Sequence, residues 1–212
     1  MSKIRVLIAD DHAIVRRGLI QIISDTMDIE VAGEASSASE VFELLRSLTF
    51  DVVILDLNLG ETSGLEVLKT VKAEFPDLPV LMLSVYPESQ FAVRTLRAGS
   101  SGYLNKDSAP EQLVKAIRRV AQNKRYVSAA VAEELLFHLE ADNDGPPHEL
   151  LSDREFQVLR FIASGNTVSE IAENLSLSVK TVSTYRSRLL EKMDMKTNAE
   201  LTHYAIKNDL VL

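Results

Sequence analysis

No cysteine occurs among the 212 residues. Disulfides, thiolate metal sites and thiol nucleophiles are therefore excluded, which fits a reducing compartment. Long apolar runs are missing too, since nothing approaches the ~20 residues needed to span a bilayer. The opening stretch MSKIRVLIADD is too short in apolar residues for a signal peptide and meets two acids at once, so the expected location is cytoplasmic. No internal repeat is visible. Positive charge is in deficit as well: the net charge is −8, which on its face argues against nucleic acid as a partner. Its distribution changes that reading. Residues 148–212 carry eight Lys and Arg against nine Asp and Glu, so most of the excess lies earlier in the chain. Between Ser178 and Lys196 five bases (Lys180, Arg186, Arg188, Lys192, Lys196) face two acids, a locally basic stripe.

What is present suits a soluble globular protein, with 46% hydrophobic and 25% charged residues and length enough for two ordinary domains. Segments 4–9, 29–35, 51–57, 79–85 and 101–106 are short and aliphatic, and three of them are nearly continuous apolar runs, as in strands buried on both faces. Between them apolar residues recur at helical spacing, for example Val41, Leu44, Leu45 and Leu48. A last helix runs from Pro110 to about Gln122. Five such units predict a doubly wound α/β domain with a five-stranded parallel sheet over residues 1–122. The pattern is helical again from Tyr126 to Leu139, then breaks at EADNDGPPHE, so 123–149 reads as a linker with a helical segment. Residues 150–212 hold only helical patterns and predict an all-α domain.

In DVVILDLNLGETSG, residues 51–64, the carboxylate of Asp56 interrupts an apolar run, and the stretch from Asn58 to Gly64 reads as a loop. A buried unpaired charge is expensive, so other groups must converge on it. In a doubly wound sheet the ligand site lies beyond the carboxyl ends of the strands. There the first strand supplies Asp10 and Asp11, the third Asp56, the fourth Ser84 and the fifth Asn105 and Lys106. Three carboxylates in one crevice repel and call for either protonation or a cation. Oxygen donors, read as having no histidine or cysteine near them, favour Mg²⁺ and phosphate chemistry. A carboxylate beside a metal can attack a phosphoryl group, while an ammonium and a hydroxyl stabilise the developing charge. Taken singly, Asp10 and Asp11 could merely cap a helix, Lys106 could be solvated and Tyr103 could fill a core. Four strand ends carrying the groups of one reaction outweigh those readings.

The stretches VLIADDHAIVRRGL, DVVILDLNL, VLMLSV and GYLNKD resemble the receiver domain of bacterial two-component response regulators, from residue 4 to about 122. The resemblance implies Asp56 as the phosphoacceptor. It implies Mg²⁺ held by Asp10, Asp11, Asp56 and the backbone carbonyl of Asn58. Ser84 and Lys106 would bind the phosphoryl group, and Tyr103 would be the aromatic switch. Many receivers have proline four residues after the phosphoacceptor; here Gly60 stands there, and a more permissive loop is expected.

In the second part Ser152 and Glu155 fit a capping box, and Thr167 caps the next helix. After the turn SLS, a helix presents Val182, Leu189 and Met193 as one thin apolar stripe. Its other side carries Ser183, Thr184, Ser187 and Arg188, with Lys180 near its start. Two helices joined this way suggest a helix-turn-helix, although charge pattern alone would suit a solvated face. LSDREFQVLRFIASG, EIAENLSLSVKTVSTYRSRLLEKM and KTNAEL are similar to the NarL/LuxR-type helix-turn-helix over nearly all of 150–212. Relatives more often have a polar residue and lysine where Val168 and Ser169 stand here. The resemblance implies DNA contacts from Lys180, Thr181, Ser183, Thr184, Ser187 and Arg188, and a dimer face on the last helix.

Together these readings predict a phosphorylation-dependent transcriptional regulator rather than an enzyme. Its expected partners are a sensor histidine kinase, double-stranded promoter DNA, a second copy of the chain when phosphorylated and, as a further candidate, RNA polymerase; no membrane is involved. The alternative is a Mg²⁺-dependent phosphatase or phosphotransferase with an aspartyl-phosphate intermediate. Haloacid-type phosphatases usually place a second acid two residues after the nucleophile, where this chain has Asn58.

Overall fold

The computed structural model describes residues 3–60, 62–86, 88–108, 110–129, 131–133, 146–208 and 210–211. It divides into two compact units, Met1–His138 and Leu139–Leu212.

The first unit alternates strand and helix. Strands β1 (Ile4–Ala9), β2 (Ile29–Ala35) and β3 (Val52–Asp56) interleave with helices α1 (Ala13–Ser24) and α2 (Ala38–Ser47). Two short strands follow, β4 (Asn58–Leu59) and β5 (Thr62–Ser63). Then come α3 (Gly64–Glu74), β6 (Val80–Ser84), α4 (Glu88–Arg97), β7 (Gly102–Asn105) and α5 (Pro110–Val120). The main sheet is parallel, in the order β2-β1-β3-β6-β7. All five residues of β3 and of β6 are buried, which explains why these strands read as unbroken apolar runs. On one face Val6, Ile8, Val52, Ile54, Leu81 and Leu83 form a core with Leu19 and Ile23 of α1 and Leu113 and Ile117 of α5. Alternation turns Leu7, Val53, Leu55 and Met82 to the other face, and all four are buried as well.

Two expectations need correction. The stretch after Asp56 is not an open loop: β4 and β5 pair as an antiparallel hairpin, Asn58 with Ser63 and Leu59 with Thr62. Nor does a helix begin at Tyr126. Its N–H donates to the Ser101 carbonyl at 2.9 Å and it bridges Gly102, so the chain runs extended beside the open edge of β7. Pairing there satisfies backbone groups that an edge strand would otherwise leave to water. Helical residues begin only at Ala129, and the expected linker's residues 134–145 lie outside the described residues.

The second unit contains α6 (Asp153–Ala163), α7 (Val168–Asn174), α8 (Val179–Lys192) and α9 (Asn198–Lys207). Helix α6 packs against α9 and α8, and α7 against α8. Phe156, Leu159 and Ile162 supply the α6 side of this core, Ile171 the α7 side, and Val182, Leu189 and Met193 the α8 side. Every one of these helices starts on a Ser or Thr whose side chain accepts the amide three residues on: Ser152, Thr167, Ser178 and Thr197. At Ser152–Glu155 and Thr167–Glu170 the reciprocal bond completes a capping box.

Candidate functional site

Parallel registers decide which side chains meet. Ala9 pairs with Leu55, Asp56 with Leu83 and Ser84 with Asn105. The residues that end or follow β1, β3, β6 and β7 therefore stand side by side. Asp10 and Asp56 are almost wholly buried, 1% and 3% exposed. Lys106 reaches between them: its Nζ donates to Asp10 Oδ2 at 2.6 Å and to Asp56 Oδ2 at 2.8 Å. A buried charge is tolerable when paired and hydrogen-bonded. That is why β3 can end on an acid.

The electrostatics are tense even so. Asp56 is pushed up to about 6, first because burial disfavours its charge; Asp10 adds repulsion, while Lys106 and the Asn58 N–H oppose the shift. Burial also works against the charge on Lys106, but the Asp56 charge and the hydrogen bonds to both acids prevail and raise its pKa. Asp10 does little capping. Its Oδ1 accepts the His12 N–H at 2.8 Å, whereas α1 begins after His12 without a side-chain cap. The Asp10 carbonyl accepts from Arg16 Nη1 at 2.6 Å, a contact not foreseen in the sequence.

Asp11 sits beside this pair. Its Oδ2 accepts the Gly60 N–H at 3.1 Å. Its Oδ1 is buried and has no hydrogen-bond partner among the described residues, although His12 Nδ1 lies only 2.6 Å away. Asp10, Asp11, His12 and Asp56 each offer a ligand atom within 4.8 Å of the others, so these residues could hold a metal ion. The expectation that no histidine lies near is thus corrected. His12 lies three residues beyond the end of β1, at the N-cap of α1, so strand-end position alone does not point to it.

Ser84 is buried, and its Oγ accepts the Tyr86 N–H at 3.2 Å. The Lys106 N–H in turn donates to the Ser84 carbonyl at 2.7 Å. Tyr103 points inward, 1% exposed, with its hydroxyl donating to the Tyr86 carbonyl at 2.9 Å. Tyr86 thus touches both Ser84 and Tyr103. At Gly64 a Cβ would collide with the Asp56 carbonyl oxygen, so only glycine lets α3 start this close to β3. Within this unit the structure brings together Asp10, Asp11, Asp56 and Lys106 and sets Ser84 one strand away. For Asn58 it gives a backbone N–H donated to Asp56.

The second candidate surface lies on α8. Lys180, Ser183, Thr184, Ser187 and Arg188 are exposed and Thr181 is half-buried. Hydroxyls of Ser183, Thr184 and Ser187 donate to the carbonyls four residues earlier, at 2.8–3.0 Å. They lie flat on the helix and keep their lone pairs outward, which leaves a shallow polar face. Not all of the basic stripe faces outward: Lys192 Nζ is 2.7 Å from Glu155 Oε2, and Arg186 Nε donates to Asn198 Oδ1 at 2.7 Å. Lys180 and Arg188 form no ion pair among the described residues.

Residues 6–118 match the response regulator receiver domain, and residues 149–205 match the bacterial regulatory proteins of the luxR family. The chain belongs to the LuxR-type response regulators. This regulator is 37% identical over 208 residues to Response regulator UvrY of Escherichia coli (strain K12), covering 98% of this chain and 95% of that one. It is 35% identical over 209 residues to Response regulator GacA of Pseudomonas aeruginosa, covering 98% of each. Among solved structures it resembles RcsB from Salmonella enterica serovar Typhimurium bound to promoter rprA in the presence of phosphomimetic BeF3-. That likeness has a TM-score of 0.61 and 28% identity over 96% of this chain and 98% of RcsB. Its receiver and helix-turn-helix architecture is that of a response regulator with an α/β sheet domain followed by a helical one. No helix among the described residues is long and apolar enough to cross a membrane.

Proposed function

We propose that this response regulator accepts a phosphoryl group on Asp56 from a sensor histidine kinase in the cytoplasm, dimerises, and binds promoter DNA through α8. The observation that carries this reading is Lys106 held between the buried Asp10 and Asp56 at 2.6 and 2.8 Å. Mg²⁺ held by Asp10, Asp11, Asp56 and the Asn58 carbonyl would neutralise the phosphoryl oxygens; the buried Asp11 Oδ1, which accepts no hydrogen bond and has His12 Nδ1 2.6 Å away, belongs to the cluster that suits such an ion. An Asp56 carboxylate oxygen attacks phosphorus as the bond to the kinase imidazole nitrogen breaks, giving an acyl phosphate and a free histidine. Lys106 then pairs with the phosphoryl group, and the Ser84 hydroxyl turns from the Tyr86 amide to donate to it. Tyr103, joined to the same Tyr86 backbone, reports the change to the outer face.

The receiver would span 1–122, the linker 123–149 and the DNA-binding domain 150–212. Dimerisation joins two half-site readers, which multiplies effective concentration. Lys180 and Arg188 would supply phosphate contacts, and Thr181, Ser183, Thr184 and Ser187 would line the groove. RNA polymerase is a natural further partner of a promoter-bound dimer. Turnover of separate substrates is no part of this role. RcsB, a structural relative, has been seen as dimers bound to DNA. Incubation with labelled acetyl phosphate and Mg²⁺ tests the site. The wild type takes up label and Asp56→Asn does not; labelled Asp56→Asn would overturn the assignment.

A further inference from the structure

Gly60 has a backbone φ of +60°, in the left-handed region, yet a Cβ built on it would meet nothing within 4 Å. Glycine is therefore not there to make room. Its value is the direction in which this conformation aims the backbone N–H, straight onto Asp11 Oδ2. The hairpin that presents it is pinned at its base. Asn58 and Leu59 pair with Ser63 and Thr62, and Ser63 is fully buried with its Oγ accepting the Leu65 N–H at 3.3 Å. The Gly64 N–H donates to the Leu57 carbonyl at 2.8 Å.

A fixed donor on one carboxylate oxygen sets the plane of the group, and with it the direction of the other oxygen. In Asp11 the other atom is Oδ1, buried, accepting no hydrogen bond but with His12 Nδ1 2.6 Å away, in a residue that forms a cluster with Asp10, His12 and Asp56. We propose that Gly60 is the positioning residue for Asp11: its N–H holds one carboxylate oxygen so that the other faces the divalent cation. This rests on the reading that the acid cluster holds Mg²⁺. A proline at position 60 has no N–H and a φ fixed near −65°, so it removes both features. An alanine keeps the N–H and strains only the backbone.

Calorimetric titration of Mg²⁺ into the full chain at pH 7.5 tests the proposal. Wild type binds saturably. Gly60→Pro binds about three- to tenfold more weakly, the scale of one charge-assisted hydrogen bond. Gly60→Ala stays within about twofold of wild type, since its donor survives, but melts at a lower temperature. Binding unchanged in Gly60→Pro, or weakened equally in Gly60→Ala, overturns the proposal and leaves the cation site intact. A wild type that binds no Mg²⁺ overturns the underlying reading and the proposal with it. A nuclear magnetic resonance measurement needs no folded proline variant. The Gly60 amide is protected from hydrogen exchange in wild type and loses protection in Asp11→Ala; an amide unprotected in wild type refutes the proposal.

Discussion

Asp10 and Asp56 are hidden from solvent and are 46 residues apart in the chain, whereas Ser183, Thr184, Ser187 and Arg188 lie exposed within one turn or two of a single helix. The receiver notch depends on sheet register to exist at all. The α8 face depends only on a helix forming. In the notch the interior amplifies every charge. On α8 water screens them. Substitutions in the first should therefore be severe and coupled, and those in the second mild and additive.

Removing Lys106 gives the largest effect. In Lys106→Met two buried carboxylates lose their shared ammonium, which should cost about 3–5 kcal/mol in urea unfolding at pH 7.5. Adding Asp56→Asn should restore part of that loss, because one of the stranded charges is then gone. Protonation offers the same relief, so the penalty should shrink as the pH falls towards 5. A loss under about 1 kcal/mol would mean that the notch behaves like solvent-screened surface, and the contrast with α8 would collapse.

Asp56→Asn alone should move stability the other way. The folded pKa of Asp56 is raised from 3.8 to about 6 by burial. Between those values the unfolded chain binds fewer protons than the folded one, so stability falls as pH rises and the full cost is present above pH 6. Asparagine should relieve on the order of 2–3 kcal/mol at pH 7.5 and almost nothing near pH 3.5. A pH-independent difference would place the origin in packing and not in charge.

How much of this was legible in the sequence follows the same division. Three of the five strands were readable because burial on both faces leaves nearly unbroken aliphatic runs, and Asp56 was conspicuous as the exception inside one. Asp10, Asp11, Ser84 and Lys106 could be gathered because strand ends share one rim. The hairpin of Asn58–Leu59 with Thr62–Ser63 was not readable, since two-residue strands show no periodicity and Gly60, Thr62, Ser63 and Gly64 have turn composition. His12 and the Gly60 amide escaped for a related reason. One sits past the strand end, and the other acts through its backbone, which leaves no trace in side-chain chemistry. Tyr126 read as helical because apolar spacing cannot show that an open sheet edge lies beside it. On α8 the outer face was readable by its polarity, but the engagement of Lys192 by Glu155 and of Arg186 by Asn198 is tertiary and invisible to a helical wheel.

On the exposed side, Lys180→Ala and Arg188→Ala should each weaken promoter binding about tenfold or less and reduce the slope of log K against log salt by about 1. Their effects should add, and neither should alter phosphoryl uptake on Asp56. Lys192→Ala should leave the slope unchanged, because its ammonium already neutralises Glu155. Gel shifts across a salt series check all three, and an equal slope change in Lys192→Ala would put the far end of α8 on the phosphates as well.

The smallest effect belongs to the caps. Thr167 Oγ1 accepts the Glu170 amide at 3.3 Å and Glu170 reaches back to the Thr167 N–H at 2.7 Å, both exposed. Thr167→Ala should cost about 1 kcal/mol and Thr167→Ser only a few tenths, since serine keeps the acceptor. The loss should be the same in the full chain and in a chain already carrying Asp56→Asn, because both partners of the cap, Thr167 and Glu170, are exposed and bonded to each other. A loss several times larger, or one that depends on Asp56, would show that the start of α7 is governed from beyond its own turn, and the second unit would then share the coupled character of the first.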